Sequence, residues 1–303
     1  MRLSAFSRDS LGGVDHGRIE ANEVSFAYLE EGPRNGPLAI CLHGFPDSAH
    51  TWEALLFALG SAGYHAIAPF MRGYAPTSVP KDSQYQIGAL VRDVNTLHEL
   101  FAGRSDSVLI GHDWGALTTY GALAHRPDFW RAAVTASVPP VASVMSSLFS
   151  YDQLKRSWYT FFFQSPLAET AICNDNYSFL DRLWADWSPG LDATSHVTRA
   201  KESIATPERI RAAISYYRAL YSSELHDPAL AREQAASVAP APVPVLYLHG
   251  ESDGCISIDA VDNPLKHLPQ GSRMEIVEGA GHFLHLERPT EVNKLIIDFL
   301  GNP

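Results

Sequence analysis

Asp113 stands between two glycines in the run Val108 to Gly121, reading Val-Leu-Ile-Gly-His-Asp-Trp-Gly-Ala-Leu-Thr-Thr-Tyr-Gly, where an apolar strand gives way to a helix. The spacing Gly111-x-Asp113-x-Gly115 describes a nucleophile elbow. This is a sharp strand-to-helix turn that lifts its central side chain above a sheet, here with a carboxylate where serine is usual. Asp also caps helices well. Glycines on both sides and the small Ala116 are what a crowded elbow demands, and they favour the reactive reading. An ionised carboxylate needs no base to become nucleophilic. Attack on an ester or amide would produce a high-energy anhydride, so its natural target is an sp3 carbon bearing a leaving group. Epoxides and alkyl halides are the candidates.

Three further groups would complete such a site. His43-Gly44-Phe45-Pro46 follows the apolar run Leu38 to Leu42, and the N–H of Phe45 joined to that of Trp114 would form an oxyanion hole. Each such donor is worth about 3 kcal/mol to a developing negative oxygen. His282, in Glu278-Gly279-Ala280-Gly281-His282-Phe283, is set apart from the other twelve histidines by the small residues before it and by its place late in the chain. Those features suit a base that follows nucleophile and acid in chain order. Asp253, after Val243 to Gly250, is the acid best placed to orient it, with Glu251 as the alternative and a plain turn Asp before Gly254 as the non-catalytic account. His112 reads as a structural hydrogen-bonding residue and His285 as packing or capping at a helix start. His282 and His285 alone make a poor metal site.

The elements that must position these residues are legible as short apolar runs: Leu38 to Leu42, His65 to Pro69, Val108 to Ile110, Ala132 to Val138, Val243 to Leu248 and Met274 to Val277. Continuous apolar strands separated by helical stretches indicate the α/β class, a doubly wound and mostly parallel sheet covered on both faces. The alternation breaks after Pro139 and Pro140. About a hundred residues rich in aromatics and helix formers follow, until the Ala/Pro stretch from Ala235 to Pro244. This pattern predicts core residues 1–139, an inserted helical cap at 140–236 and a second core part at 237–303. Ligands of open α/β sheets bind beyond the carboxyl ends of strands, where the segments holding Phe45, Asp113 and Asp253 all begin.

The 303 residues are 46% hydrophobic and 19% charged, enough for a large core plus an insertion. A net charge of -11 with no basic run excludes a nucleic-acid or anionic-membrane partner. Met1 to Val14 hold no apolar segment of signal-peptide length, and no stretch approaches ~18 apolar residues. A cytoplasmic protein is the expectation. Cys41, Cys173 and Cys255 are too few and scattered for a disulfide framework or zinc cluster, and read as buried free thiols.

In the insertion, Trp158-Tyr159-Thr160-Phe161-Phe162-Phe163-Gln164 is aromatic all round, as suits a helix clamped between cap and core. Periodicity alone does not select Tyr159 or Tyr217 over Tyr151, Tyr177, Tyr216 or Tyr221. Over nearly its whole length, however, the chain resembles the epoxide hydrolases of the α/β-hydrolase fold. The segments His43 to Pro46, Gly111 to Gly115, Trp158 to Gln164, Tyr217-Arg218, Asp253 and Gly281-His282-Phe283 fall in that family's order. Tyr159 matches its first cap tyrosine and Tyr217 its second, although the doubled Tyr216-Tyr217 departs from the pattern. The elbow and histidine motifs are shared with haloalkane dehalogenases.

The resemblance implies that an epoxide becomes a vicinal diol through a covalent ester on Asp113. His282 and Asp253 would activate water, Tyr159 and Tyr217 would hold the epoxide oxygen, and Phe45, Trp114, Trp158 and Phe283 would line the substrate site. It implies no metal and no organic cofactor. Epoxide and water are the expected partners, and a homodimer is left open. Haloalkane dehalogenase is the runner-up; Trp114 would then need a second N–H donor from Trp158, Trp184 or Trp187. A ligand-binding protein on a retired hydrolase fold is the alternative outside enzymes.

Overall fold

The computed structural model describes residues 14–301, so the reading of the chain's first residues falls almost entirely outside it. An eight-stranded sheet forms its centre, comprising β1 (Asp15–Ala21), β2 (Val24–Glu31), β3 (Leu38–Leu42), β4 (His65–Pro69), β5 (Ser107–His112), β6 (Trp130–Ala136), β7 (Val245–Gly250) and β8 (Arg273–Val277). Their order is β1-β2-β4-β3-β5-β6-β7-β8, parallel from β4 to β8, with an antiparallel hairpin at one edge. All six expected apolar strands are present.

The edge hairpin escaped the search for apolar runs because β1 carries charged residues and is buried only on alternate positions. Its two-residue turn, Asn22-Glu23, has positive φ at both positions (48° and 62°), as tight hairpins require.

Side chains alternate across the sheet. Leu38, Ile40, Leu42 and Leu109 enter one buried cluster, while Ala39, Cys41, Val108 and Ile110 enter another on the opposite face. Helices α1 (Glu53–Ser61) and α12 (Pro289–Leu300) cover the second cluster. Helices α2 (Ile87–Leu100) and α3 (Trp114–His125) cover the first. The chain runs from β3 outward to β4 and returns on the other side of β3 as β5, so the loops leaving β3 and β5 diverge from neighbouring strands. Such a switch point opens a crevice at the strands' carboxyl ends.

Between β6 and β7 lie α4 (Tyr151–Arg156), α5 (Trp158–Phe162), α6 (Ala168–Cys173), α7 (Ser178–Trp187), α8 (Thr194–Ile204), α9 (Pro207–Tyr221) and α10 (Ala231–Ala236), and α11 (Leu284–Glu287) follows β8. Thr206 caps α9, its side chain accepting the N–H of Arg209, and Pro207 opens the helix where its missing N–H costs nothing. Helix α10 packs against α2 and α3 on the sheet layer rather than among the insertion's other helices. No helix among the described residues is long and apolar enough to cross a membrane. Cys41 and Cys255 are buried free thiols, whereas Cys173 is partly exposed.

Polar ties join insertion to core. Trp184 Nε1 donates to the Pro46 carbonyl at 2.8 Å, and Arg199 on α8 meets Glu53 on α1 at 2.8 Å. Burial works against the Glu53 charge, but hydrogen bonds from His50 and Arg199 prevail and hold its pKa down at about 2, against 4.5 for an ordinary glutamate. A carboxyl lowered on folding stabilises the fold above its unfolded pKa, and that gain is lost as pH falls from 4.5 toward about 2. The partners are about a third and nearly half exposed, so screening keeps the gain modest. Chemical denaturation should find wild type losing stability faster than Glu53→Gln between pH 4.5 and 2, with the two curves parallel above that window.

Candidate active site

Asp113 begins where β5 ends, with φ 53° and ψ -116° at the N-cap of α3. A non-glycine residue in that region costs about 1–3 kcal/mol and persists only when its surroundings enforce it. Here the Asp113 carbonyl accepts the N–H of Ala116 and Leu117, and its own N–H donates to the Ala136 carbonyl. Two neighbouring glycines leave the space. A Cβ on Gly115 would lie 2.1 Å from the Leu42 carbonyl oxygen, and one on Gly44 would lie 2.3 Å from the Asp113 side chain. The strand-to-helix turn that the motif predicts is therefore present, tight against β3.

The Asp113 side chain is buried, and its Oδ1 accepts the Phe45 N–H at 2.8 Å. Trp114 opens α3, so its N–H is one of the first-turn donors that find no partner within a helix, at the positive end of the helix dipole. The other oxygen, Oδ2, is 3.7 Å from His282 Nε2, and His282 Nδ1 lies 3.0 Å from Asp253 Oδ2. The remaining Asp253 oxygen accepts the N–H groups of Cys255 (2.7 Å) and Ile256 (3.0 Å).

His282 is fixed through its backbone as well. Its N–H donates to the Trp187 carbonyl, while its carbonyl accepts from His112 Nε2 (2.9 Å) and Ser137 Oγ (2.6 Å). His112 is thus a structural partner, as the sequence reading expects. Glu251, the alternative acid, is exposed and engaged with the Gly279 N–H instead.

Burial alone would depress the His282 pKa. The carboxylates of Asp253 and Asp113 outweigh it and carry the imidazole up to about 10, so the ligand-free site holds an imidazolium between two anions. Burial opposes the Asp253 charge too, yet its interaction with His282 leaves that carboxyl below its ordinary value.

Tyr159 and Tyr217 are both buried, their rings 5.6 Å apart. Tyr217 packs edge-on against Phe45 (5.4 Å) and Trp114 (4.9 Å), within electrostatic reach of Asp113, and among the described residues its hydroxyl has no well-formed hydrogen bond, Trp114 being the side chain it interacts with. The Tyr159 ring sits 4.9 Å from Trp187, and its hydroxyl is 3.3 Å from Cys255 Sγ. Tyr216 points elsewhere: its hydroxyl donates to the Arg72 carbonyl at 2.8 Å. Burial raises both cap phenols well above their usual pKa, which keeps them protonated.

Trp158 departs from expectation. It is 44% exposed, with its ring against Phe162 and Phe179. Successive helical residues point about 100° apart, so a helix that turns Tyr159 inward turns Trp158 out. Phe283 is fully buried, stacked on Trp184 at 3.6 Å and edge-on to the His282 ring at 5.2 Å. Phe45–Pro46 is a cis peptide bond.

Asp47 was not foreseen. It lies buried one residue past the His43 to Pro46 loop, and burial pushes its pKa up to about 7. The ligating atoms of Asp47, His112 and His285 all fall within 4.8 Å of one another, and Asp47 Oδ2 and the two Nδ1 atoms have no partner among the described residues. This set has donors suited to a cation, and one buried water would satisfy the same atoms. His285 itself stacks on Trp52, the packing role its position suggests.

The profile of a protein family described as alpha/beta hydrolase fold matches residues 37–289. The AB hydrolase superfamily protein YfhM of Bacillus subtilis is 28% identical, spanning 96% of this chain and 100% of that protein. An epoxide hydrolase of Caballeronia sordidicola is 29% identical over 99% of this chain and 98% of its own. The crystal structure of epoxide hydrolase A from Mycobacterium thermoresistibile superposes with a TM-score of 0.76 at 28% identity, covering 94% of this chain and 97% of that one.

Gly115→Ala should push α3 away from β3, because the new methyl meets backbone that has no rotamer to yield. A loss of about 1–3 kcal/mol is expected, read as a lower denaturant midpoint; an unchanged midpoint would mean that the turn has slack.

Proposed function

The chain belongs to the alpha/beta hydrolase fold family, and from that premise we propose that it is an epoxide hydrolase working through a covalent ester on Asp113. The observation that carries this reading is two buried phenols, Tyr159 and Tyr217, both within electrostatic reach of one buried carboxylate. Relatives named as epoxide hydrolases over nearly the full chain support it.

The resting charges dictate the order of events. Asp113 is the anion that attacks a ring carbon from behind as the carbon–oxygen bond breaks, and a phenol gives its proton to the departing oxygen. The products are a hydroxyalkyl ester and a tyrosinate. Esterification removes one of the two negative charges that hold the proton on His282, so that proton passes to the tyrosinate and leaves a neutral imidazole. His282 then takes a proton from water, held in the required tautomer by Asp253, and hydroxide adds to the Asp113 carbonyl carbon. The N–H groups of Phe45 and Trp114 stabilise the resulting oxyanion. Collapse expels the diol oxygen, which takes the proton of the re-formed carboxyl, and the starting pair of imidazolium and carboxylate returns.

A dehalogenase needs two N–H donors at the departing halide. Of the candidates beside Trp114, Trp184 already donates to Pro46 and Trp158 is half exposed, which leaves Trp187, buried against Tyr159 and His282, as the one that could supply the second donor. A retired binding protein would have no use for an acid, a histidine and a strained nucleophile in register. Parallel panels of epoxides and haloalkanes, scored for diol and for free halide, separate all three.

A single turnover in water labelled with heavy oxygen should put the label on Asp113 and leave the first diol unlabelled; label in that first diol would remove Asp113 as nucleophile. His282→Gln should accumulate the alkylated enzyme as a substrate-sized mass adduct, and an active variant without adduct moves the base elsewhere.

Tyr159→Phe and Tyr217→Phe should each slow ester formation, and the double variant by about 10²–10⁴-fold, the range of general acid catalysis. Wild-type ester formation in both single variants would return the haloalkane reading to the front.

A further inference from the structure

The two cap phenols are not equivalent. Among the described residues the Tyr217 hydroxyl has no well-formed partner, whereas that of Tyr159 lies 3.3 Å from Cys255 Sγ. Cys255 sits on the loop after β7 that also carries Asp253, and its N–H is one of the two donors to Asp253 Oδ1. Helix α4 clamps this loop from the cap: Gln153 donates to the Cys255 carbonyl at 2.9 Å and Arg156 to the Asp253 carbonyl at 3.1 Å. The sulfur is therefore fixed by the network that fixes the acid. The Tyr159 ring is wedged against Trp187 (4.9 Å) and Phe163 (5.5 Å), so the direction of its O–H is the freedom left to it. A phenol is the stronger donor of the pair and a thiol sulfur a weak acceptor, so the bond runs from Tyr159 to sulfur.

We propose that Cys255 is a positioning residue for Tyr159: its sulfur accepts the phenol hydrogen in the ligand-free site and yields it to the epoxide oxygen. This role rests on the epoxide hydrolase reading and deepens it. A buried phenol with no acceptor is costly, and a strong acceptor would have to be given up on every turnover; sulfur meets both demands. Burial first, and the negative charges of Asp253 and Asp113 second, hold the thiol well above its usual pKa. It stays protonated and does not compete with Asp113 for the electrophilic carbon.

Cys255→Ser keeps the shape and supplies a stronger acceptor. In single-turnover ester formation it should raise the epoxide concentration for half-maximal rate about threefold, the scale of one ordinary hydrogen bond, and change the limiting rate less. The rise should vanish when Tyr159→Phe is also present and survive alongside Tyr217→Phe, as a double-mutant cycle requires of a contact made through Tyr159. No rise in the single variant, or a full rise that persists with Tyr159→Phe, overturns the role.

A second readout needs no substrate. The infrared S–H band of Cys255, identified by its loss in Cys255→Ala, should shift with Tyr159→Phe and stay in place with Tyr217→Phe. Ester formation without that shift overturns the role of Cys255 alone; no ester from any epoxide overturns the functional reading and the role with it.

Discussion

His282 lies fully buried with a carboxylate at either side, 3.0 Å from Asp253 and 3.7 Å from Asp113. Charge buried away from water is tolerable only when paired, and here one cation serves two anions. The surroundings are built to hold that arrangement. The histidine's carbonyl is gripped from two sides, the second Asp253 oxygen takes two backbone donors, and the second Asp113 oxygen takes the Phe45 N–H. Remove one negative charge by esterification and the balance tips, so the imidazole changes from proton holder to proton acceptor without any element moving. The chemistry proposed for this site is a consequence of that shared proton.

The core and the elbow were readable because strong local constraints write themselves into sequence. A strand buried on both faces is largely apolar, as β3, β5 and β7 are, and each of the six apolar runs is a strand, although β8 lies mostly open at the sheet's edge. A carboxylate forced to positive φ between a strand and a helix needs glycines beside it, and Gly111 and Gly115 supply them. The charged edge strand β1, half in solvent, imposes no such continuous signature. Trp158 was misassigned because aromatic density along α5 says that a helix is sandwiched but not which residue faces which partner. Asp47 and Cys255 stood next to recognised motifs, at Pro46 and Asp253, but no spacing rule marks a side chain whose importance comes from neighbours on other elements. Tyr216 and Tyr217 became distinguishable only through their hydroxyls, one committed to the Arg72 carbonyl and the other without a well-formed partner among the described residues.

Around the carboxylate the walls are aromatic faces. Phe45, Phe163, Trp114, Trp187, Tyr159 and Tyr217 meet at centroid separations of about 5 Å, mostly edge to face. Such a box excludes water from the anion and offers a substrate dispersion contacts in place of hydrogen bonds. The two hydroxyls are its polar exceptions, and they lie on different cap helices, α5 and α9, so the donor pair depends on the packing of those helices against each other. Gln164 helps to hold that packing by donating to the Tyr217 carbonyl at 3.3 Å.

The insertion leaves the sheet after β6 and returns as β7, and these two strands are immediate neighbours in parallel register. An excursion of about a hundred residues therefore leaves from the carboxyl end of β6 and re-enters at the amino end of its neighbour β7, with α10 on the sheet layer making the return. Natural selection can lengthen, shorten or exchange the whole cap without disturbing a single rung of the ladder that bears Asp113, His282 and Asp253. In this architecture the sheet that carries Asp113, His282 and Asp253 and the cap that carries Tyr159 and Tyr217 are built by separate stretches of chain, and the junction between them is the pair of crossings at β6 and β7.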